Sequence, residues 1–172
     1  MDAISVLKEQ IAGSHEIMEG TLAGVDASVC HHQPGGSAHP IGATYAHAVI
    51  SEDFIVNMII RGTPPLIMGE WGAKAGLSEP PPPPGGDLLA WSNRVKIDLD
   101  ATRKYAQAVY DNTDAYVGSL KADDLDRQIE VPGFGKHSAN YFLSIAAVIH
   151  PSNHCGEIAA IKGTQNLSGY PF

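Results

Sequence analysis

The sequence lacks an apolar run long enough to cross a lipid bilayer. A membrane-spanning helix needs about 20 consecutive, predominantly apolar residues, and no window of this 172-residue chain approaches that length. The first ten residues, MDAISVLKEQ, place an acid at position 2 and contain no apolar core of a signal peptide. We therefore expect a cytoplasmic protein with no membrane partner.

Cysteine is scarce and basic residues are outnumbered. Two cysteines, Cys30 and Cys155, are too few for a disulfide framework, so we expect thiols in a reducing compartment. Lys and Arg total 11 against 19 Asp and Glu, a formal charge of −8, and they form no basic cluster. Such a surface repels a phosphate backbone. We expect no nucleic-acid partner and a small-molecule substrate instead.

The alternation typical of strands is also missing, whereas helical periodicity is plain. Apolar residues recur every three or four positions in four segments. Pro40 suits the first helical position, Asp87 suits an N-cap, and Gly62 and Gly163 are natural helix stops. A short extended piece is expected around Gln128 to Val131. The predicted helices cover residues 2–24, 40–61, 88–120 and, from His137 or Ser138 onward, up to Lys162.

Proline and glycine are abundant and concentrate between the second and third predicted helices. Residues 61–87, RGTPPLIMGEWGAKAGLSEPPPPPGGD, contain two proline clusters. A connection of this length is unusual in a compact domain, but it lets the chain cross from one end of a helical bundle to the other. The expected fold is all-α, a single domain over residues 1–172 built as a four-helix bundle in up-down-down-up order.

Histidine is frequent, with eight residues, and two of them interrupt the apolar face of the fourth helix. His150, His154 and Glu157 occupy three successive inward positions. Burying polar groups without partners costs about 1 to 3 kcal/mol each, so these side chains need a common partner. Histidines at i and i+4 project side by side, a spacing found in helical zinc sites.

A third imidazole, His47, lies on the inward face of the second helix. Three imidazoles with open coordination positions suit Zn(II), Ni(II) or Fe(II). His15 lies on the apolar face of the first helix, at a similar depth if the first two helices are antiparallel. It is a candidate for a fourth ligand, a hydrogen bond behind a ligand, or a substrate contact. Glu157 has three possible roles: orienting a ligand, acting as a general base, or reaching the rim.

The other polar and aromatic candidates have simpler interpretations. Cys155 points about 100° away from its neighbouring histidine and is expected to pack. Glu52 and Asp53 lie off the His47 face, as a solvated pair or with one hydrogen bond to a histidine. Trp71 and Trp91 are expected to anchor the core or loops, and Trp71 alternatively floors a pocket. The remaining histidines are expected in solvent, for His31, His32 and His39, or at a helix start, for His137.

Pro151 directly follows the first histidine of the pair. Proline disfavours the α conformation in the preceding residue and leaves the carbonyl of Ala147 without its helical donor. The sequence therefore predicts that the fourth helix kinks or restarts at this point.

Two motifs together resemble a known family. PGGSAHPIGATYAH ends in His47, and HPSNHCGEIAAIKG contains His150 and His154. With LKADDLDRQIEVPGFG and the SGYPF tail, they resemble the DinB/YfiT-like metalloenzymes. The resemblance implies an up-down-down-up bundle, often a homodimer, with one divalent ion held by His47, His150 and His154. Pro151, and Glu157 in place of the common Gln, depart from the family pattern.

The resemblance also implies a chemistry, because relatives include thiol S-transferases and isomerases that use thiols such as bacillithiol or mycothiol. The leading hypothesis is a metal-dependent thiol S-transferase-like enzyme, with a low-molecular-weight thiol as cosubstrate and Glu157 and His15 as catalytic candidates. One alternative is metal-assisted hydrolysis or isomerisation. Another is a non-catalytic metal-binding or stress-response protein, in which Glu157 or His15 closes the fourth coordination position.

Overall fold

The computed structural model describes residues 2–83 and 85–172 and is mostly helical. Its α-helices are α1 (Ala3–Thr21), α2 (Ala27–Cys30), α3 (Ile41–Asp53), α4 (Leu88–Ser92), α5 (Leu99–Ser119), α6 (Ala139–Ser144) and α7 (His150–Thr164). Two π-helical segments, Phe54–Arg61 and Ile145–Ile149, continue α3 and join α6 to α7. Short 3-10 turns cover Leu66–Met68 and Ala122–Asp126. The prediction of a helical fold is confirmed.

The first two predicted helices form close to their expected bounds. Asp2 caps α1 by accepting a hydrogen bond from the amide of Ser5 at 2.8 Å. Pro40 is the N-cap of α3 rather than its first helical residue. The π-helical continuation ends at Gly62, which has a φ of 68°. Glycine adopts this left-handed conformation without a steric cost, so the predicted stop is found.

The third predicted helix is wrong in its first turns. The chain forms α4, leaves the helical conformation at Asn93, and starts α5 only at Leu99. The reason is long-range backbone pairing: the amide of Ser78 donates to the carbonyl of Lys96 at 3.0 Å, and the amide of Asp98 donates to that of Gly76 at 2.8 Å. These bonds replace helical ones, and the Asp98 carboxylate then caps α5.

The fourth predicted helix is built from three pieces. Ser138 caps α6 through its hydroxyl, the chain widens into the π-helical segment, and α7 begins at His150. The π-helical segment changes to α7 at His150, next to the predicted kink or restart, and Pro151 lies in the first turn of α7, where its missing N–H removes little. His150 nevertheless keeps α dihedrals. Gly163 does not end the helix, because α7 continues to Thr164.

A small β-hairpin precedes the fourth helix. The extended piece predicted at Gln128–Val131 forms strand β1, and Gly135–Ser138 forms an antiparallel strand β2. His137 pairs with Ile129 in this hairpin, so the predicted helix start is found at the N-cap Ser138 and not at His137. Strand β2 was not predicted, because the segment has only four residues and no apolar alternation.

Long-range polar contacts define how the long helices run. The hydroxyl of Ser14 contacts the carbonyl of Val148 at 3.4 Å, and Lys162 Nζ donates to the carbonyl of Thr21 at 2.7 Å. Residue numbers therefore rise together along α1 and the fourth helical run. Against α5 the order is reversed, because Lys8 pairs with Asp114 and Glu19 with Arg103.

Asp53 anchors the start of the Pro/Gly-rich connection. Its carboxylate, 0% exposed, accepts hydrogen bonds from the amides of Leu66 and Ile67 at 2.9 and 3.0 Å and from the Tyr105 hydroxyl at 2.7 Å. The side-chain amide of Asn57 donates a further bond at 2.7 Å. The expectation of a solvated side chain is wrong, because folding supplies four donors that replace water.

Within the described ranges, no helix combines the length and the apolarity required to traverse a bilayer.

Candidate metal centre

The three predicted metal ligands come together between α3 and α7. His47, His150 and His154 each offer one ring nitrogen, and these three atoms lie within 4.8 Å of one another. All three side chains are partly buried. His150 and His154 lie one turn apart on α7, while His47 faces them from α3. The ring centroid of His47 is 5.1 Å from each of the other two.

The two imidazoles of α7 have a separation suited to sharing an ion. Nε2 of His150 lies 3.0 Å from Nε2 of His154, and the ring planes are nearly perpendicular, at 89°. Zinc binds imidazole nitrogen at about 2.0 to 2.1 Å. Two such nitrogens at a right angle about one ion are about 3 Å apart. The three-histidine group can thus bind a metal ion.

Burial keeps two of these imidazoles neutral. Desolvation, followed by the neighbouring His150 and His154, lowers the pKa of His47 from 6.5 to about 4. Desolvation and His154 lower the pKa of His150 to about 4 as well. Neutral imidazole is the form that coordinates metal. At neutral pH these two residues need not lose a proton before they bind an ion.

Glu157 contacts a candidate ligand from the rim. Its Oε2 atom lies 2.8 Å from Nδ1 of His154, and its side chain is 53% exposed. Because a carboxylate accepts, Nδ1 of His154 carries the proton and Nε2 presents its lone pair towards His150. A carboxylate behind a metal-binding histidine fixes its tautomer and ring orientation. Of the three roles considered for Glu157, this contact favours orienting a ligand.

One buried nitrogen of the cluster has no partner. Nδ1 of His150 makes no hydrogen bond to any residue in the described ranges. If His154 presents a lone pair at Nε2, the facing His150 Nε2 either donates a proton to it or shares an ion with it. Sharing an ion puts the proton of His150 on Nδ1. The donor set of three imidazoles, two of them held neutral, fits a divalent ion of the zinc, nickel or iron(II) type.

His15 does not join the three-histidine group. Its Nε2 atom lies 2.9 Å from Oε2 of Glu52, and its ring stacks on Tyr110 with centroids 3.8 Å apart. Glu52 is 1% exposed and also accepts from the Thr113 hydroxyl at 2.7 Å. Of the two alternatives for Glu52, the hydrogen bond to a histidine is found, with His15 as the partner, and the solvated position is not. His15 instead lines an open groove of about 300 Å³ between α1 and α5, with Glu16, Glu19, Asp111 and Asp114.

A smaller cavity of about 80 Å³ adjoins the three histidines. Two of the three, His47 and His154, line it together with Glu157, Thr44, His39 and Ser92. His39 was expected in solvent but is partly buried, with Nδ1 2.6 Å from the Ser92 hydroxyl. The available signal was its position eight residues before His47, just ahead of the start of the same helix. Ser92 gave no signal, because it reaches the cavity only through the break after α4.

Further expectations concern His31, Trp71 and the two cysteines. His31 is not simply solvated, because its Nε2 accepts from the amide of Ile97 at 2.9 Å and joins the loop of α2 to the chain before α5. Trp71 packs near Tyr105, with ring centroids 5.9 Å apart, which fits a loop anchor.

Cys30 and Cys155 are both buried thiols. Desolvation raises the pKa of Cys30 to about 11 and that of Cys155 above its usual value, so neither is a ready nucleophile.

Comparison with known proteins gives two results for the fold and family. The family model of the DinB superfamily matches residues 10–158. The crystal structure of a conserved protein from Enterococcus faecalis has a TM-score of 0.78 with this chain at 18% sequence identity. The match covers 95% of this chain and 99% of that chain. At this identity the similarity concerns the fold alone. No curated protein matches the sequence.

Proposed function

The chain belongs to the DinB superfamily, which is metal-binding, and we propose that it is a divalent-metal-dependent enzyme with thiol S-transferase-like activity. The observation behind this proposal is the convergence of His47, His150 and His154, whose ligand atoms lie within 4.8 Å of one another beside a small cavity. The thiol chemistry rests on family resemblance, while the metal site rests on the residues themselves.

Different residues of the chain would bind the metal ion and the thiol. His47, His150 and His154 would hold a zinc, nickel or iron(II) ion, and Glu157 would fix the tautomer of His154. When bound, such an ion supplies Lewis acidity that stabilises a thiol as its thiolate near neutral pH. The cavity of about 80 Å³ has room for the head of a small thiol. The rest of the substrate would extend towards solvent past Glu157, which lies at the rim.

The state of the fourth coordination position separates an enzyme from a structural metal site. A structural site is closed by four protein ligands, whereas a catalytic site keeps a position open. The two candidates for closing it are engaged elsewhere: Glu157 with Nδ1 of His154, and His15 with Glu52. This favours catalysis over a purely structural role in a stress-response protein. Metal-assisted hydrolysis or isomerisation uses the same open position and is the alternative reaction.

The proposal includes the frame that holds the site. Helix α1 is parallel to the fourth helical run and antiparallel to α5, as their contacts indicate. These directions support the up-down-down-up order of a four-helix bundle. We further propose one domain over the whole chain and a homodimer, as the resemblance implies. The partly exposed apolar side chains of Tyr141 and Ile149 offer contact area on the fourth helical run. Light scattering on the purified protein tests the dimer.

Elemental analysis of the untagged protein, purified without chelator, tests the metal site. Wild type is expected to contain about one equivalent of zinc, nickel or iron per chain. His47→Ala and His154→Ala are expected to lose it, while His32→Ala, which changes an exposed histidine, retains it. A well-folded wild type without metal, even after incubation with these ions, would contradict the proposal.

An activity assay then distinguishes thiol S-transfer from metal-assisted hydrolysis. Metal-loaded wild type is incubated with a small thiol and an electrophile such as a chloroarene, and the thioether product is measured. Product that depends on both metal and thiol supports S-transfer. Metal-dependent turnover of esters or amides without thiol would replace it with hydrolysis.

A further inference from the structure

A fourth histidine lies in the cavity beside the three-histidine group. His39 directly precedes Pro40, and proline holds the preceding residue in an extended conformation. Its ring lines the cavity from just before the start of α3, and that of His47 lines it about two turns later. His39 does not belong to the ligand group, whose nitrogen atoms come from His47, His150 and His154.

Hydrogen bonding fixes which nitrogen of His39 carries the proton. The hydroxyl of Ser92 lies 2.9 Å from the carbonyl of Leu89, which can only accept. With the hydroxyl proton directed at that carbonyl, the Ser92 oxygen accepts from Nδ1 of His39, 2.6 Å away. Nδ1 thus carries the hydrogen in the neutral ring, and Nε2 carries a lone pair. Ser92 is 2% exposed, so water competes little for this bond.

The lone pair of His39 is the uncommitted basic site in this cavity. Its Nε2 atom makes no hydrogen bond to any residue among 2–83 and 85–172. The other titratable groups that line the cavity are His47, His154 and Glu157. The first two belong to the ligand group, and the carboxylate of Glu157 accepts the proton of His154 Nδ1.

We propose that Nε2 of His39 accepts the thiol proton when the cosubstrate enters the cavity. The inference rests on the proposed function and assigns a catalytic residue that is not one of the predicted candidates. The S–H bond breaks, its proton forms an N–H bond at Nε2, and the electron pair stays on sulfur. Sulfur then forms a bond to the electrophilic carbon while the leaving group departs with its bonding pair. The proton on Nε2 passes to that leaving group or to water, which restores the neutral ring.

Ser92 is a positioning residue in this scheme, because it acts only through His39. Its hydroxyl holds the ring in the tautomer that presents a lone pair. His39→Asn keeps an N–H donor near the position of Nδ1 but has no basic nitrogen. Ser92→Ala keeps the imidazole of His39 but removes the hydroxyl that holds the proton on Nδ1. The exposed His32, changed to Asn, is the matched control.

The first test reads the tautomer in the metal-free protein. Nitrogen NMR of histidine-labelled protein is expected to show His39 protonated at Nδ1 and bare at Nε2. Ser92→Ala is expected to shift that population towards the other tautomer. A wild-type His39 protonated at Nε2 would overturn the proposal, whatever the metal content or activity.

The second test counts protons in the cobalt-loaded protein. 2-Mercaptoethanol is titrated by calorimetry at pH 7 in buffers of different ionisation enthalpy, with the thiolate–cobalt absorption followed in parallel. Wild type is expected to release fewer protons to the buffer than His39→Asn, because Nε2 of His39 accepts the thiol proton while the thiolate is bound. His39→Asn is expected to release about one proton per thiol with unchanged cobalt content. His32→Asn should match wild type.

The outcomes separate the two proposals. Equal proton release by wild type and His39→Asn, with cobalt and thiol both bound, overturns the role of His39 and leaves the metal site standing. Failure of wild type to bind cobalt or thiol overturns both. If His39→Asn also lowers the transfer rate about 100-fold or more, the effect is in the range of general base catalysis.

Discussion

His15 and Glu52 meet in the protein interior, with Nε2 of the imidazole 2.9 Å from Oε2 of the carboxylate. Glu52 lies five residues after His47 on α3, and this difference in position turns it from the metal centre towards α1 and α5. His15 is 9% exposed and Glu52 1%. The pair satisfies two buried polar groups, so we assign it to stability rather than to the metal centre.

Glu52→Ala is expected to lower the free energy of unfolding by about 3 kcal/mol. The substitution leaves the ring of His15 and the hydroxyl of Thr113 without a buried acceptor, and each unsatisfied group costs about 1 to 3 kcal/mol. Urea denaturation measures the change, with Glu16→Ala on the exposed face of α1 as the control. Metal content should stay at the wild-type level. Loss of metal without loss of stability would place this pair in the metal centre instead.

Asp53→Asn is expected to loosen the Pro/Gly-rich connection. The carboxylate accepts from two backbone amides, one side-chain amide and one hydroxyl, and an asparagine directs two hydrogens towards some of these donors. Hydrogen bonds to a charged group contribute about 1.5 to 3 kcal/mol each. We expect a loss of about 3 kcal/mol and faster proteolysis within residues 62–87. Tyr105→Phe removes one donor and should cost less. Unchanged proteolysis in Asp53→Asn would show that the connection is held by other contacts.

Glu157→Ala is expected to weaken metal binding about 10- to 100-fold with little change in stability. The carboxylate holds His154 through Nδ1, and losing such a partner typically reduces metal affinity by this factor. Because the side chain is 53% exposed, its removal leaves no cavity in the core. Glu157→Gln retains an acceptor and should fall between alanine and wild type. Competition with a zinc chelator gives the affinities, and equal values for all three proteins would remove Glu157 from the site.

The metal-free protein is expected to lose stability as the pH falls from about 6.5 to about 4. His47 and His150 have folded-state pKa values near 4, against 6.5 in an unfolded chain. In this window the unfolded state binds more protons, so its free energy falls relative to the folded state. Each group contributes at most about 1.4 kcal/mol per pH unit.

Urea denaturation after chelator treatment, at pH 7 and pH 4.5, measures this dependence. The double variant His47→Leu, His150→Leu is expected to show a shallower pH dependence than wild type. Identical slopes for the two proteins would mean that these imidazoles titrate normally in the folded state. A variant at the exposed His32 controls for the general effect of removing a histidine.

Much of the helical frame follows from local sequence signals. The buried face of α1 includes Leu7, Ile11 and Met18, which are four and seven residues apart, the repeat of one helix face. Gly62 ends the second helical run, as its lack of a Cβ atom allows. Helix α3 follows a proline, and α7 contains one in its first turn. These features depend on neighbours within a few residues in sequence, so periodicity and turn residues are sufficient to predict them.

The break between α4 and α5 illustrates what local signals miss. Residues 88–120 have helical spacing throughout, yet Asn93 to Asp98 leave the helix because Ser78 and Gly76 offer backbone partners from a distant segment. The break has a consequence for the site, since it leaves Ser92 at a helix end where its hydroxyl meets His39. No periodicity within either segment encodes that meeting.

The sequence by itself determined the helical character of the chain and the three histidines proposed as ligands. His150 and His154 share a helix face through their i, i+4 spacing, and His47 was found as an inward polar residue on another helix. Only the tertiary structure decided the partners of the remaining polar groups: Glu52 for His15, two backbone amides for Asp53, and Ser92 for His39. The physical reason is that a buried polar side chain is stabilised by whichever donor or acceptor packing brings within about 3 Å, and that partner can lie anywhere in the chain.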